Sequence, residues 1–401
     1  MDPFRILFPR GPFSMSGTLV APIETGGTEF VPVPPDGQHR RIANMQQMIH
    51  RYLDDIVDSG TSLLGEYTHR LERQLGTRWG NRYGVATSSG TESLHFSLRI
   101  AGVGPGDEVI VPNMTFVSTA FAVNAAHAVP VFVDVEPGSW LISPEAIRRA
   151  ITPRTKAIIP VHLYGQVADM DDIMALADEH GLAVIEDCAQ AHDATYHGRP
   201  AGSFGDFGCF SMWVGKNIGG LDDGGFVIVR DEQNLVAMQR MHNLGRDRTV
   251  RYLHHCWGTR SRLSELNAAI LDYQLSMLTH WNVQRRMIAK AYDRAFAQLP
   301  LQTPTVLPGR EHVYYKYAVH TEHAAELESY LKDRGISTER IYPYLLSEQP
   351  AFADLPHRVE PTPVACANNS KLLCLPIYPE LTYGEQQLVI AGVVSFFGNR
   401  V

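Results

Sequence analysis

One lysine, Lys216, stands in "CFSMWVGKNIGGLDDGG" (209–225) between an apolar, aromatic lead-in and a run of glycines. Surface lysines usually have polar neighbours. This one follows Phe210, Met212, Trp213 and Val214 and precedes Gly219, Gly220, Gly224 and Gly225. Desolvation disfavours an ammonium ion, so a lysine in a partly dry, glycine-lined niche is suited to act as a nucleophilic amine. In "LAVIEDCAQAHDA" an apolar run ends on Glu186 and Asp187. Period-two alternation puts Val184, Glu186 and Cys188 on one face and Ile185, Asp187 and Ala189 on the other. A carboxylate at that depth needs a cation or hydrogen-bond donors. Asp187 is therefore either a salt-bridged or capping residue, or the partner of a protonated ring nitrogen.

"VATSSGTESLHFSLRIAG" reads as a strand, a Ser/Gly/Thr turn and a helix. Ser88, Ser89, Gly90 and Thr91 offer a plain cap or, with their free N–H groups and hydroxyls, a phosphate site. Phe116, in "VPNMTFVSTA", follows a strand as a core ring or a stacking platform, and Ser211 is a strand hydroxyl or a further phosphate donor. A nucleotide loop is excluded: "GK" at 215–216 is followed by Asn217, and Phe210 holds the position of the upstream glycine. Amine, buried carboxylate, phosphate-binding helix start and flat ring together are what pyridoxal 5′-phosphate requires.

These residues need a frame. "DEVIVP", "VPVFVDV", "KAIIPVHL" and "LAVIEDCA" are Val/Ile-rich strands separated by the helical patterns "VSTAFAVNAAHA", "SPEAIRRAI" and "MDDIMALADEHG". Nearly apolar strands alternating with helices predict a mostly parallel α/β sheet covered on both faces. "GCFSMWV" and "GGFVIVR" predict two more strands with a tight connection, and "MQQMIHRYLDDIVDSG" an amphipathic helix stopped at Ser59-Gly60. The expected organisation is an N-terminal arm over 1–40, a large domain over 41–285 and a smaller α+β domain over 286–401. Ligands of such sheets bind outside the carboxyl ends of the strands, where all the candidates fall.

The 401 residues carry a formal charge of −8, with 44% hydrophobic and 19% charged side chains. No basic stripe suggests nucleic acid, and no apolar run approaches the roughly 20 residues needed to span a bilayer. The first residues, broken by Arg5, Pro9 and Arg10, lack a leader's apolar core, and Met15 is an alternative start. Cys188, Cys209, Cys256, Cys366 and Cys374 show no paired spacing, and "HHC" at 254–256 is the sole local His/Cys cluster. Reduced thiols, a cytoplasmic setting and no metal are expected.

"SSGTESL", "GDEVIVPNMTFVSTA", "VHLYGQVADM", "EDCAQAH", "GDFGCFSMWVGKN", "DDGGFV" and "CLPIYPELT" resemble, from about residue 45 onward, the DegT/DnrJ/EryC1/StrS aminotransferases. The resemblance implies the aspartate-aminotransferase fold (fold type I) and pyridoxal phosphate. It also implies transfer of an amino group from L-glutamate or L-glutamine to a keto-sugar or keto-cyclitol in a biosynthetic pathway such as that of an antibiotic. It makes Lys216 the Schiff-base lysine and catalytic acid/base, and Asp187 the partner of the pyridine nitrogen. Gln190 would lie near the phenolic oxygen, Gly90, Thr91 and Ser211 at the phosphate, and Phe116 over the ring. His192, Tyr342 and Ser347 fall on the substrate side, and a homodimer with active sites at the interface is implied. Two departures stand out. "GTRSR" puts Arg260 where the family usually has an asparagine that reaches the neighbouring subunit's phosphate, so Arg260 faces that phosphate or an anionic substrate. "YPYLLSEQP" puts Ser347 where a histidine is usual. The alternatives are a sugar dehydratase of the same fold, in whose best-known members histidine replaces the lysine, and a non-catalytic binding or regulatory module.

Overall fold

The computed structural model describes residues 32–80 and 82–398. Most of the expected arm, with Met15, lies outside the described residues. Its described end pairs Val33 with Ile336 and then forms helix α1 (Gln38–Asn44), which the sequence reading does not anticipate. α2 (Gln46–Ser59) is the expected amphipathic helix, and α3 (Glu66–Arg78) follows. Strand and helix then alternate through β1 (Tyr83–Thr87), α4 (Gly90–Ile100), β2 (Glu108–Pro112), α5 (Ser118–Ala125), β3 (Val129–Val133), α6 (Pro144–Ala150), β4 (Thr155–Ile158), α7 (Met170–His180) and β5 (Ala183–Asp187). Two short strands, β6 (Thr195–Tyr196) and β7 (Arg199–Pro200), precede β8 (Phe207–Ser211) and β9 (Gly225–Val229). α8 (Glu232–Met241) and the long α9 (Glu265–Phe296) lead to β10 (Arg310–Glu311), β11 (Tyr317–His320), α10 (Ala324–Lys332), β12 (Arg358–Val359), α11 (Pro363–Asn368), β13 (Leu372–Leu375) and α12 (Tyr383–Gly398). Several helices start where a short polar side chain can take an orphan N–H: Ser89, Ser143, Asp231 and Ser264 each accept from the residue three further on.

Eight strands form one sheet in the order β1-β9-β8-β5-β4-β2-β3-β12, parallel throughout except for the two pairings of β9. The strands are apolar on both sides because both sides are covered. Ile110, Val131, Val184 and Ile228 pack in one cluster with Leu71, Ile147 and Ile173 of α3, α6 and α7. Val109, Phe132, Ile185 and Val227 pack in another with Phe96, Val123 and Met238 of α4, α5 and α8. Each such side chain contributes roughly 1.5–3 kcal/mol when fully buried.

One expectation needs correction. β8 stops at Ser211, and residues 212–224 make a long loop back to β9 in place of a tight connection. The Met212 N–H donates to Gly224 O at 2.7 Å and the Gly220 N–H to Met212 O at 2.9 Å, so the apolar residues after Ser211 close this loop and do not extend the strand. Further on, α9 runs unbroken through 285/286. Its Leu271, Leu275 and Leu278 belong to the first sheet cluster, while Ile288, Tyr292 and Phe296 belong to a third cluster with Tyr317, Leu373 and Phe397.

Candidate active site

The carboxyl ends of the parallel strands, the starts of α4 and α5 and the 212–224 loop line a cavity of about 580 Å³. Gly90, Thr91, Phe116, Asp187, Gln190, Ser211, Lys216 and Tyr342 all line it, so eight of the expected residues meet in one place.

Asp187 ends β5 and is 6% exposed. One carboxylate oxygen accepts from Thr119 Oγ1 at 2.9 Å, the other from the Ala189 N–H at 3.1 Å. Burial raises its pKa above the ordinary value, while those two donors and then the charges of Lys216 and His162 pull the other way. Thr119 lies in the first turn of α5, three residues after Phe116. The sequence reading missed it, although "TFVST" puts its hydroxyl one helical turn from the aromatic.

Lys216 is half-buried, with its Nζ 4.6 Å from the ring centroid of Tyr315. Tyr315 also lines the cavity, and nothing in "VYYKY" marks it in the sequence. The glycines around Lys216 let the loop approach α9 closely: a Cβ on Gly220 would collide with the Asn267 amide. That amide accepts from the Leu221 N–H at 2.9 Å and donates to Asp223 O at 3.1 Å.

Gly90 and Thr91 are the first residues of α4, where N–H groups have no intrahelical acceptor and the helix dipole favours an anion. A Cβ on Gly90 would stand 2.9 Å from that of Ser211, so glycine brings the helix start against the end of β8. Ser118 completes this polar wall, accepting from Thr91 Oγ1 at 2.9 Å.

Phe116 leaves 53% of its surface exposed, with its centroid 5.9 Å from that of Tyr342. Gln190 is pinned at both ends of its amide: Oε1 accepts from the Tyr164 N–H and Nε2 donates to the Tyr342 hydroxyl, each at 2.7 Å.

Three expected residues lie elsewhere. His192, expected on the substrate side, is 0% exposed, its ring 5.4 Å from Phe210 and 6.4 Å from Phe226. Those two rings stack at 4.2 Å, and His192 packs on them behind the cavity wall. Burial, and then the Lys216 charge, push its pKa down to about 3, so the ring is neutral at pH 7. Ser347, also expected at the substrate, is committed to Asn113: its N–H donates to Oδ1 and its hydroxyl accepts from Nδ2, both at 2.9 Å. Asn113 is 0% exposed, and a buried amide needs both partners. Arg260 is exposed and does not line this chain's cavity. Its neighbour Ser261 ties the segment to the turn before α4, bonding the Ser88 N–H at 3.1 Å and hydroxyl at 2.8 Å.

Pyridoxal phosphate fits this donor set. The strongest indication is Asp187, a buried carboxylate with two neutral donors beside a cavity, an arrangement that a cationic N–H partner would complete. The α4 start with its hydroxyls suits a phosphate, Phe116 a planar ring, and Lys216 an aldehyde.

Residues 43–394 match the model of the DegT/DnrJ/EryC1/StrS aminotransferase family. Over 354 residues the chain is 39% identical to a "Pleiotropic regulatory protein" of Geobacillus stearothermophilus, covering 87% of this chain and 94% of that one. It is 38% identical over 347 residues to a dTDP-3-amino-3,4,6-trideoxy-alpha-D-glucose transaminase of Streptomyces venezuelae, covering 86% and 91%. Among solved structures it is similar to NtdA from Bacillus subtilis with bound cofactor PMP, at a TM-score of 0.84 and 29% identity, covering 92% and 86%.

Proposed function

Since the chain belongs to the DegT/DnrJ/EryC1/StrS aminotransferase family, we propose that it moves the amino group of L-glutamate or L-glutamine to the ketone carbon of a sugar, with a cyclitol as the second acceptor class. It is an aminotransferase that works with pyridoxal phosphate. A keto-sugar is favoured because the Streptomyces venezuelae relative is named for a 3-amino sugar, the product that amination of a sugar ketone gives. The dehydratase alternative falls: this chain has lysine at 216, and that lysine lines the cavity.

The observation that carries this reading is the convergence of Lys216, Asp187 and the start of α4 on one cavity. Bound there, pyridoxal phosphate supplies an electrophilic carbonyl and a ring that can accept the electron pair left by a departing proton. Asp187, fixed by Thr119 and Ala189, would hold the cofactor's ring nitrogen. The N–H groups of Gly90 and Thr91 and the Ser211 hydroxyl would hold its phosphate, Phe116 would cover its face, and the pinned Gln190 would meet its phenolic oxygen. Among the described residues Lys216 Nζ is the one amine lining the cavity, and it would take the proton from the donor's α-carbon and hand it on to the cofactor's carbonyl-derived carbon.

A homodimer accounts for Arg260, whose exposed position suits a contact with the neighbouring subunit's phosphate. Among the described residues no helix is long and apolar enough to cross a membrane. The five cysteines are unpaired, which suits a reducing, cytoplasmic setting.

The test is the absorbance spectrum of the purified holoenzyme before and after L-glutamate, then L-glutamine. A visible band that collapses into the near ultraviolet with either donor supports the reading. A band unchanged by both sinks the choice of donors, and no band after reconstitution sinks the site assignment. Lys216→Ala should abolish turnover while some cofactor still binds. Full turnover in that variant rules out the lysine's role.

A further inference from the structure

We propose that Arg41 is a positioning residue for the reaction, holding from behind the backbone from which the Lys216 amine projects. The inference rests on Lys216 being the catalytic amine.

Arg41 sits on α1 and is 6% exposed. Its Nε is 3.1 Å from Glu380 Oε1, and its Nη1 donates to Lys216 O at 3.1 Å and to Asn217 O at 3.4 Å. The guanidinium lies 4.7 Å from the Trp281 ring centroid. Among the described residues Arg41 is the donor to the Lys216 carbonyl, and 175 positions of chain separate the two.

The grip matters because the 212–224 loop has no ladder of its own to fix it. Neighbouring points are held: Asn217 Nδ2 donates to Asn282 Oδ1 at 2.9 Å, and Gly219 exchanges two hydrogen bonds with the Gln274 amide. A lysine amine rides on a flexible stem, so its reach is defined only if the backbone beneath it stands still. Arginine suits the task because its fork sends separate donors to a carboxylate and to a carbonyl, which a lysine's point charge cannot do in one geometry. The next residue provides a contrast. Arg40 pairs with Glu385 and donates to Glu380 O, so it anchors α1 to the C-terminal segment without touching the loop.

Three variants of the full chain test this: Arg41→Lys, the double variant Arg41→Met/Glu380→Gln, which leaves no unpaired buried carboxylate, and Arg40→Met. Hydrogen–deuterium exchange of the 212–224 peptide is measured on apoprotein, then melting temperature, and on holoenzyme the single-turnover rate with the donor that proves active. Both Arg41 variants should exchange the loop faster and slow the single-turnover rate about tenfold to a hundredfold, with the donor KM nearly unchanged. Arg41→Lys should keep the wild-type melting temperature without recovering the rate. Arg40→Met should lower the melting temperature while loop exchange and rate stay at wild-type values. The proposal is overturned if the double variant leaves loop exchange unchanged, if Arg41→Lys restores the rate, or if Arg40→Met slows the rate as much. Because exchange is read on apoprotein, a failure of the functional reading (no visible band in wild type) remains distinct from a failure of this one.

Discussion

Glu186 and Asp187 are adjacent carboxylates on opposite faces of one strand, and their surroundings give them different work. Glu186 is 0% exposed and accepts four hydrogen bonds. Three come from the N–H groups of Gly202, Phe204 and Gly205 at 2.7 Å, and one from His162 Nε2 at 2.9 Å. His162 Nδ1 accepts from the Ala168 N–H at 3.1 Å, which places the ring's proton on Nε2. With Cys188 these residues bring metal-ligating atoms within 4.8 Å of one another, yet donors already occupy the carboxylate and both ring nitrogens are engaged. Asp187 has two donors and an open side toward the cavity. A saturated buried carboxylate organises the protein around it, whereas an undersupplied one waits for a cation.

The contrast can be broken by changing either side. Glu186→Ala leaves three buried N–H groups and a histidine without an acceptor, and should cost about 3–5 kcal/mol of stability by denaturant titration. Asp187→Asn should leave the apoprotein folded but lower the single-turnover rate by about a hundredfold to a thousandfold, the size of loss seen when one preorganised hydrogen-bonding group is removed from an active site. Equal losses of stability in the two variants would erase the distinction. Thr119→Val sharpens it: a charged acceptor loses one of two donors, worth about 1.5–3 kcal/mol, so the same rate should fall about tenfold or more.

The smallest effect is on pH dependence. Because the folded-state pKa of Asp187 is raised above the ordinary 3.8, the folded apoprotein binds this proton more tightly than the unfolded chain. Its contribution is fully present below 3.8 and is lost as pH rises through the raised value. Apo Asp187→Asn should therefore gain stability over wild type as pH rises from the acid side to neutral. A gain that instead grows toward low pH would reverse the sign assigned to burial.

Much of the frame was legible. The apolar strands between helical patterns specified a two-sided sheet, and Ser89 before "GTESL" gave both a cap and the helix start at the cavity. Other parts were hidden for identifiable reasons. His192 sits two residues after the pinned Gln190, but sequence distance says nothing about which wall of the cavity a ring packs behind. Ser347 occupies a position read as substrate-facing, yet the buried amide of Asn113, 234 residues away, claims it. Tyr315 and Arg41 have no local pattern, since each acts on Lys216 from a distant part of the chain.

The sequence by itself determined what depends on neighbours along the chain: strand alternation, helix caps, the face on which each carboxylate falls, and the order of the motifs. Only the tertiary structure decided which polar groups are already satisfied. Hydrogen-bond donors reach Glu186 from the Gly202–Gly205 turn and from His162, Asp187 from α5, and the Lys216 carbonyl from α1. Satisfaction of a buried polar group depends on atoms within about 3 Å of it, wherever they lie in the sequence.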